Sequence, residues 1–405
     1  MFKILTMNNI AAEGLALFPG ERYLAGPDVR DPDAILIRSA SLFDYRFSPS
    51  TLAVARAGAG VNNIPVEMCS EQGIVVFNTP GANANAVKEM ALAALFLASR
   101  KIIESVQWAK TLTGSACLPD SLNALIENNK AGYAGPELTG KTLGVVGLGA
   151  IGVMVANDAQ ALGMNVTGFD PYISVDAAWK LSRNVKKAES LESLLAESDY
   201  VTIHIPYSES TRGLFGAEKI RRMKKGARLI NLARGGLAQE TDIIAALDSG
   251  HLALYLTDFP TPELLAHPKV ICTPHLGAST PEAEINCAVM AVRQIMDFLE
   301  TGAIKNSVNY PRCSLANQRR HRLLVANRNI PNMVGQMTTL IAGNGINITG
   351  LVNHHYGDYA YNIIDTEEKV PEPALNELRQ INGIIRVRTI ESAESQTERV
   401  LPEDR

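Results

Sequence analysis

One segment of the chain, residues 141–170, constrains the fold more than any other. It begins with a run of small apolar residues that ends in the glycine pattern Gly147-x-Gly149-x-x-Gly152. An apolar stretch of helical length follows, and a second β-rich run closes on Asp170. Two such runs on either side of an apolar helical stretch are typical of parallel strands in a sheet that is covered on both faces. The segment therefore predicts a strand–turn–helix–strand unit in an α/β protein.

Each glycine of this pattern has a physical reason to be there. Gly147 allows a tight turn, Gly149 lets the backbone approach a pyrophosphate, and Gly152 lets the helix pack close to the strand. The N-terminus of the helix offers unpaired N–H groups and a partial positive charge to phosphates. Asp170 could accept hydrogen bonds from ribose hydroxyls. The segment thus indicates a dinucleotide-binding site, and a glycine-rich turn in some other α/β protein is the remaining alternative.

The length of the chain indicates several domains, and its composition argues against a nucleic-acid-binding or membrane protein. A chain of 405 residues is too long for one hydrophobic core, so two or three domains are expected. A net charge of −4 without long basic runs argues against a nucleic-acid surface, and no apolar run approaches the ~20 residues that cross a membrane. The cysteines show no CxxC pair, which fits reduced thiols in a cytoplasmic protein and argues against a metal site. They are Cys69, Cys117, Cys272, Cys287 and Cys313.

The order of the predicted strands and helices divides the chain into three domains. Residues 1–98 and 282–312 are predicted to form a discontinuous, flavodoxin-like α/β domain. Residues 99–281 repeat a strand–helix alternation and are predicted to form a Rossmann-type dinucleotide-binding domain inserted into the first. Residues 318–405 show the strand–helix–strand–strand–helix–strand order of the ferredoxin-like split motif. The strands predicted for the first domain are Phe2–Met7, Ala34–Ile37, Leu52–Ala55 and Ile74–Phe77.

Two apolar helices and a linker mark the predicted boundaries between these domains. Residues 84–101 are nearly all apolar and are predicted to form a helix buried between domains. A second apolar helix, 281–301, is predicted to return the chain to the first domain. Residues 302–320 are interpreted as a polar linker, and the charged run 319–322 as the solvated start of a strand.

Three polar residues follow strands of the predicted dinucleotide-binding domain, namely Arg234, Glu263 and His275. Since the carboxyl ends of parallel strands share one edge of a sheet, we expect their side chains to face one crevice. A histidine can take a hydroxyl proton near neutral pH, a carboxylate can orient it and raise its pKa, and an arginine can bind a substrate carboxylate. The set suits hydride transfer between a nicotinamide and a 2-hydroxy acid. Each residue alone could instead be a loop histidine, a helix-start acid or a surface arginine.

Two arginines, Arg38 and Arg56, follow strands of the first predicted domain and are flanked by small residues. An arginine in such a loop can present its guanidinium to a carboxylate or a phosphate. A surface ion pair is the alternative for each of them.

Three segments resemble D-isomer-specific 2-hydroxyacid dehydrogenases, and the resemblance extends over essentially the whole chain. They are residues 229–236 (Leu-Ile-Asn-Leu-Ala-Arg-Gly-Gly), 258–263 (Asp-Phe-Pro-Thr-Pro-Glu) and 273–280 (Thr-Pro-His-Leu-Gly-Ala-Ser-Thr). Within this family the chain is most similar to the members that oxidise 3-phosphoglycerate, because Arg38-Ser-Ala40 and Arg56-Ala-Gly-Ala-Gly60 resemble their loops. The C-terminal domain resembles the ACT regulatory domain of the short-form members.

The resemblance implies a role for each residue of the predicted site. His275 would be the catalytic acid/base, Glu263 its partner and Arg234 the anchor of the substrate carboxylate. Contacts with the substrate are implied for Arg38, Ser39, Arg56, Ala57, Gly58 and Arg234. Contacts with the cofactor are implied for Gly147, Gly149, Ala150, Ile151, Gly152, Asp170, His204, Pro206, Thr211, Leu232, Ala233, Arg234, Asp258, His275 and Gly277. NAD is expected rather than NADP, because no arginine or lysine is adjacent to Asp170 to neutralise a 2′-phosphate.

The resemblance also implies an activity, an effector and an assembly. The expected reaction is the NAD-dependent oxidation of 3-phospho-D-glycerate to 3-phosphohydroxypyruvate, the first step of L-serine synthesis, in a cytoplasmic homodimer or homotetramer. L-Serine would be an effector bound by Asn327, Asn329 and Asn347, unless the C-terminal domain is purely structural. Two alternatives remain open for the whole protein. One is another D-2-hydroxyacid dehydrogenase, such as a hydroxypyruvate or glyoxylate reductase, and the other is a non-catalytic NAD(H)-sensing protein like the related corepressors.

Overall fold

The structure is a computed structural model that describes residues 1–113, 119–316 and 321–391. Cys117, Arg319 and Arg320 lie outside these ranges. The chain divides into two compact units, of which the first is Met1–Ala82 with Glu284–Arg405 and the second is Asn83–Ala283. Among the described residues, no helix has the length and apolar character needed to cross a bilayer.

The N-terminal part of the first unit is a parallel five-stranded sheet. Its elements are β1 (Phe2–Met7), α1 (Ala12–Leu15), β2 (Tyr23–Gly26), β3 (Ala34–Ile37), β4 (Ala53–Arg56), α2 (Val66–Glu71) and β5 (Val75–Phe77). The strand order β2-β1-β3-β4-β5, with all neighbours parallel, is the flavodoxin-like order predicted from the sequence. Strand β2 has no counterpart in that prediction, because only its first residue is buried and its apolar signal is weak.

The second unit is built around a parallel seven-stranded sheet. Its elements are α3 (Ala84–Ser99), α4 (Ile102–Thr111), α5 (Pro119–Asn129), a 3₁₀ turn (Lys130–Tyr133), β6 (Thr142–Val146), α6 (Ala150–Ala161), β7 (Asn165–Phe169), α7 (Val175–Lys180), β8 (Lys186–Lys187), α8 (Leu191–Glu197), β9 (Tyr200–Ile203), α9 (Ala217–Arg222), β10 (Ala227–Asn231), α10 (Glu240–Asp248), β11 (Leu252–Thr257), α11 (Pro262–Ala266) and β12 (Val270–Cys272). The strand order is β12-β11-β10-β9-β6-β7-β8, and every neighbouring pair is parallel. The predicted Rossmann-type sheet is confirmed. The strand order reverses between β6 and β9, and in such sheets ligands bind beyond the carboxyl ends of the strands at that point.

Helix α3 belongs to the second unit, whereas the sequence suggests that residues 84–98 belong to the first domain. Its buried face consists of small and medium apolar side chains, including Val87, Ala91, Ala94 and Leu95. These residues share one hydrophobic core with β6 and α6. Small side chains allow α3 and α6 to approach closely, and this packing explains why α3 groups with the inserted unit.

The chain returns to the first unit through a long helix and ends in an antiparallel sheet. The elements are α12 (Pro281–Thr301), β13 (His321–Arg328), α13 (Met333–Gly343), β14 (Ile348–Tyr356), β15 (Tyr359–Thr366), α14 (Glu372–Gln380) and β16 (Ile384–Glu391). The strand order is β14-β15-β13-β16, as in the ferredoxin-like split motif. Helices α13 and α14 cover one face of this sheet. Its other face, with Leu324, Tyr361 and Ile363, shares a core with Phe77 of β5 and Phe298 of α12.

Side chains of this C-terminal sheet donate to carbonyls at the end of α12, where backbone carbonyls run out of acceptable donors within the helix. The donors are Arg322, Tyr361 and Arg388, and the acceptors are the carbonyls of Phe298, Leu299, Thr301 and Gly302. Arg322 is 2% exposed and also donates to Asp365, from Nε at 2.6 Å and from Nη2 at 2.8 Å. The interpretation of residues 319–322 as a solvated strand start is therefore wrong for Arg322, because its partner in register on β15 is this buried aspartate.

Candidate active site

The glycine loop between β6 and α6 has the geometry that a bound pyrophosphate requires. Gly147 has φ of +94°, in the left-handed region that favours glycine. A Cβ at Gly152 would lie 1.9 Å from the carbonyl oxygen of Gly147, so no side chain fits where the helix meets the strand. A Cβ at Gly149 would meet no atom within 4 Å, so the outer side of the loop is open to approach. Ala150 and Ile151 lie in the first turn of α6, where the backbone N–H groups have no acceptor within the helix.

Asp170, which follows β7, is bonded to this loop. Its Oδ2 accepts from the backbone N–H of Leu148 at 2.8 Å, and its Oδ1 accepts from that of Tyr172 at 2.8 Å. An ionised carboxylate has about four acceptor positions, so two remain for ribose hydroxyls. The structure thus places the acid and the glycine loop together, as the sequence predicts for a dinucleotide site.

His204 follows β9 and lies beside the glycine loop. Its backbone N–H donates to the carbonyl of Val146 at 2.7 Å, and its own carbonyl lies 2.7 Å from where a Cβ of Gly147 would be. Its Nε2 pairs with the hydroxyl of Thr202 at 3.0 Å, whereas its Nδ1 is buried without a partner among the described residues. Burial lowers the pKa of His204 to about 4. The imidazole is therefore neutral at physiological pH and contributes no charge beside the glycine loop.

The loop after His204 is closed by its own side chains. The hydroxyl of Thr211 donates to the carbonyl of Pro206 at 2.8 Å and accepts from the N–H of Ser208 at 2.8 Å. The predicted cofactor contacts Pro206 and Thr211 therefore belong to one local hydrogen-bonded turn.

Asn231, the last residue of β10, organises the turn that carries Arg234. It is 1% exposed, its Oδ1 accepts from the N–H of Ala233 at 3.2 Å, and its Nδ2 donates to the carbonyl of Arg234 at 2.9 Å. Leu232 is buried within the turn, whereas the Arg234 side chain is exposed and donates to the carbonyl of Ala233. Sequence reasoning missed Asn231, although a buried amide at a strand end is the signal that could have identified it.

Asp258, the residue after β11, fixes the loop that presents His275. It is 1% exposed, and its carboxylate accepts from the hydroxyl of Thr273 at 2.6 Å and from the N–H groups of Leu276 and Gly277, both at 2.7 Å. Its carbonyl accepts from the N–H of His275 at 3.1 Å. The sequence suggests cofactor contacts for Asp258 and Gly277, and the geometry adds a role in the loop that sequence reasoning missed.

His275 itself has a backbone conformation that is uncommon for residues other than glycine. Its φ is +56°, in the left-handed region, and such strain is concentrated at functional sites. Its ring is exposed and lies 5.2 Å from the ring of Phe259, centroid to centroid. Glu263 lies in the first turn of α11 and is also exposed. No hydrogen bond joins Glu263 to His275 in the part of the chain that the structure describes, so the structure does not pair these two predicted partners.

The predicted substrate arginines lie at the ends of two neighbouring strands of the first unit. Arg56 ends β4 and donates from Nε to the carbonyl of Arg38 at 2.9 Å and from Nη1 to that of Gly60 at 2.6 Å. The N–H of Ala57 donates to the carbonyl of Ile37, and that of Gly58 to the carbonyl of Arg56. These backbone donors, for which substrate contacts are predicted, are therefore engaged within the protein.

Arg38 and Ser39 follow β3 in a loop that two asparagines fix. The Oδ1 of Asn8 accepts from the N–H groups of Ser39 and Ala40 at 3.1 and 2.6 Å. The Nδ2 of Asn63 donates to the carbonyls of Arg38 and Ala40. Sequence reasoning gave neither asparagine this role in the loop, and Asn8, with φ of +69°, is the more distinctive of the two.

The three predicted effector residues are not brought together within one chain. Asn327 is 1% exposed, and its Oδ1 accepts from Asn362 at 2.7 Å in a buried amide ladder. Asn329 follows β13 and Asn347 precedes β14, and both are exposed. Because β13 and β14 each pair antiparallel with β15, these two residues lie at opposite ends of the sheet, roughly 25 Å apart.

Comparison with known proteins connects this geometry to a family. The family model described as "D-isomer specific 2-hydroxyacid dehydrogenase, NAD binding domain" matches residues 92–277. D-3-phosphoglycerate dehydrogenase of Bacillus subtilis is 33% identical over 329 residues, which are 77% of this chain and 59% of that relative. The enzyme of the same name from Archaeoglobus fulgidus is 34% identical over 289 residues, 69% of this chain and 52% of the relative. The chain therefore spans a little over half the length of these relatives.

Solved structures agree with this fold. D-mandelate dehydrogenase of Rhodotorula graminis superposes with a TM-score of 0.64 at 23% identity and covers 77% of this chain and 98% of its own, a likeness that concerns the fold alone. NAD⁺-bound 3-phosphoglycerate dehydrogenase of Entamoeba histolytica superposes with a TM-score of 0.57 at 26% identity and covers 78% of this chain and 99% of its own.

The family match and the geometry coincide on the same part of the chain. Residues 92–277 include the glycine loop, Asp170 and His275, which follow parallel strands of the seven-stranded sheet. The relatives extend the match beyond this segment to about three quarters of the chain. Residues 92–277 therefore match the NAD-binding domain of the D-isomer specific 2-hydroxyacid dehydrogenases, and about three quarters of the chain is similar to relatives named D-3-phosphoglycerate dehydrogenase.

Proposed function

We propose that this protein oxidises 3-phospho-D-glycerate to 3-phosphohydroxypyruvate with NAD as the hydride acceptor. The observation that carries the proposal is the arrangement of the loops after β6, β7, β11 and β12. These strands are parallel members of one sheet, so the glycine loop, Asp170 and the His275 loop emerge at the same edge. A dinucleotide and a proton acceptor at one edge are what hydride transfer to a nicotinamide requires. Free thiols at the four described cysteines fit a reducing compartment such as the cytosol.

The proposal assigns the proton of the substrate hydroxyl to His275. Asp258 fixes the loop backbone around His275, whereas the His275 ring stays exposed. The ring can therefore take the proton of the substrate hydroxyl while the hydride leaves the carbon that bears this hydroxyl. NAD, when bound by the glycine loop and Asp170, supplies the nicotinamide that accepts the hydride. Arg234 binds the substrate carboxylate through its exposed guanidinium.

Glu263 is assigned the orientation of the His275 ring. In the structure both side chains are exposed and no hydrogen bond joins them, so the role requires that their side chains rotate towards each other when substrate binds. Catalytic hydrogen bonds are often formed only in the complex with substrate, and the assignment rests on this property.

The phosphate of the substrate is assigned to Arg38 and Arg56 of the first unit. An unphosphorylated 2-hydroxy acid offers these two cations nothing to bind, which favours 3-phosphoglycerate over glycerate or glyoxylate. The loops that carry both arginines are fixed by hydrogen bonds to backbone carbonyls, so their positions are set before substrate binds.

A substrate panel with NAD and NADP tests this proposal. Turnover of 3-phosphoglycerate with NAD is expected, and His275→Ala should lower kcat by roughly 100-fold or more, the usual contribution of a general base. NADH binding, followed by fluorescence, should be kept. His267→Ala removes a histidine elsewhere in the same unit and is the matched control. Retained turnover in His275→Ala, or a clear preference for glyoxylate or hydroxypyruvate, would contradict the proposal.

We further propose that the C-terminal sheet is an ACT-type regulatory domain that binds L-serine. Its split-motif topology and the exposed Asn329 and Asn347 support this. Because these asparagines lie at opposite ends of the sheet, a serine bound by both must lie between two copies of the chain, so at least a homodimer is required. The buried Asn327 would support the sheet beneath the ligand rather than contact it.

Serine titration tests this second proposal. L-Serine should raise the melting temperature and lower the rate of the wild-type protein, and Asn329→Ala and Asn347→Ala should each abolish both effects. Exposed Asn344→Ala, close to Asn347 in sequence, is the control. A monomer in light scattering, or a protein indifferent to serine, would exclude the site.

A further inference from the structure

Three charged side chains of the first unit gather beside helix α12. Arg38 follows β3, Arg56 ends β4, and Glu284 lies in the first turn of α12. The charges of all three side chains act on the thiol of Cys287, which lies one turn further along α12. Burial raises the pKa of this thiol, Arg38 and Arg56 lower it, and Glu284 raises it. The proposed function assigns Arg38 and Arg56 to the substrate phosphate and gives Glu284 no role.

Glu284 binds one end of the Arg38 guanidinium. The Nη2 of Arg38 donates to Oε1 of Glu284 at 2.6 Å, and the two side chains are 39% and 42% exposed. Among the described residues, this is the one hydrogen bond that the Arg38 side chain makes. A guanidinium has five N–H donors in a plane, so its Nε and Nη1 edge remains able to bind two oxygens of an anion.

The backbone of Arg38 is fixed independently of this ion pair. Its carbonyl accepts from Nε of Arg56 at 2.9 Å and from Nδ2 of Asn63 at 3.2 Å. The flexible part of Arg38 is therefore its long side chain, and Glu284 determines the direction in which it points. The first turn of a helix stabilises a carboxylate, so Glu284 is a well-placed acceptor.

We propose that Glu284 is a positioning residue for the substrate phosphate, because it binds Nη2 of Arg38 and so directs the opposite edge of the guanidinium towards the phosphate. The proposal rests on the proposed function and names a further residue for it. The guanidinium lies between the carboxylate and the phosphate, which limits the repulsion between the two anions. Glu284 itself does not touch the substrate.

Steady-state kinetics of three variants test the proposal. Glu284→Ala should raise KM for 3-phosphoglycerate by roughly two- to fivefold, the range for a partly exposed ion pair, and leave kcat nearly unchanged. Glu284→Gln keeps an acceptor oxygen and should keep KM close to that of the wild type. Glu282→Ala removes a charge of the same sign from the exposed face of the same helical turn and should change neither constant.

A double-mutant cycle with Arg38→Ala separates positioning from a general electrostatic effect. If Glu284 acts through Arg38, Glu284→Ala should have no further effect on KM in the Arg38→Ala background. An unchanged KM in Glu284→Ala, a KM below that of the wild type, or additive effects in the cycle would each overturn the proposal. If the wild type fails to oxidise 3-phosphoglycerate, the proposed function fails instead. Calorimetric binding of 3-phosphoglycerate to the wild type and Glu284→Ala then decides the role of Glu284, with the same expected ratio of affinities.

Discussion

Single polar side chains at the strand ends of the seven-stranded sheet bind backbone groups of the loops. Asp170 binds the glycine loop, Asn231 binds the turn of Arg234, and Asp258 binds the loop of His275. The sequence marks such residues because they follow apolar runs. The sequence does not distinguish a side chain that binds backbone groups from one that binds a ligand. The backbone N–H groups that these side chains bind belong to loops that are distant in sequence or that take their shape only when the sheet forms.

The backbone of His275 is a second feature that sequence reasoning could not find. Its φ of +56° lies in the left-handed region, which residues other than glycine seldom adopt. Composition gives no signal for a strained residue of this kind. The strain becomes visible only with the four hydrogen bonds through which Asp258 fixes the loop.

His204 gives a prediction about pH at the scale of one residue. Burial lowers its pKa from 6.5 to about 4, so between these values the unfolded chain binds a proton that the folded protein does not. Its contribution to stability is therefore present above pH 6.5 and is lost as the pH falls towards 4, by about 3 kcal/mol at most. Urea unfolding at pH 7.5 and pH 4.5 should show a smaller loss for His204→Gln than for the wild type.

Exposed His354→Gln is the control for this experiment, and its loss between the two pH values should equal that of the wild type. Equal losses in His204→Gln and the wild type would show that the imidazole is protonated without cost in the folded protein.

Helix α12 shows at the scale of elements what a sequence pattern can predict. Its predicted bounds, 281–301, are those of the structure. Apolar residues recur at helical spacing up to Gly302, which has φ of +75° and ends the helix. Short polar elements such as β8, two exposed lysines, have no apolar pattern and no prediction. The sequence does not reveal the partners of the helix end either, since Arg322 stands in a charged run that suggests a solvated surface and nothing in the sequence assigns a partner to Arg388.

The buried pair of Arg322 and Asp365 gives a prediction at this scale. Asp365→Ala leaves the guanidinium buried without a counter-charge, which should lower the free energy of unfolding by about 3–5 kcal/mol. Asp297→Ala breaks an exposed pair between Asp297 of α12 and Lys305, which follows the helix, and should cost about 1 kcal/mol or less. Urea unfolding followed by circular dichroism measures both. Similar losses in the two variants would mean that water reaches Arg322 in solution.

At the scale of the whole molecule, the sequence predicts the three sheets and misses how two of them pack. Every residue of β15 is buried, and β13 is buried on both faces between its ends. An antiparallel sheet with one solvated face would alternate polar and apolar residues instead. The run Leu323-Leu324-Val325-Ala326 is the signal that could have predicted a cover on both sides, and it was present in the sequence.

This packing predicts the result of a truncation. A chain that ends at residue 316 exposes the core around Phe298 and Phe77, and each large apolar side chain that loses its cover costs about 1.5–3 kcal/mol. The truncated chain should aggregate or melt at least about 10 °C below the full chain. A chain that ends at residue 391 keeps every described element and is the control. A truncated chain that melts and turns over like the full one would show that the sheet is an accessory.

Helix α12 is about 30 Å long, and it connects two features that have so far been separate. Glu284 in its first turn binds Arg38, and its last carbonyls accept from Arg322 and Arg388 of the C-terminal sheet. A helix that is held at both ends transmits a shift along its axis, or a rotation about it, from one end to the other. Under the proposed function, a ligand that shifts the C-terminal sheet against α12 is expected to change the affinity for the substrate phosphate at Arg38, and thermodynamic reciprocity then requires the substrate to change the affinity for that ligand by the same factor.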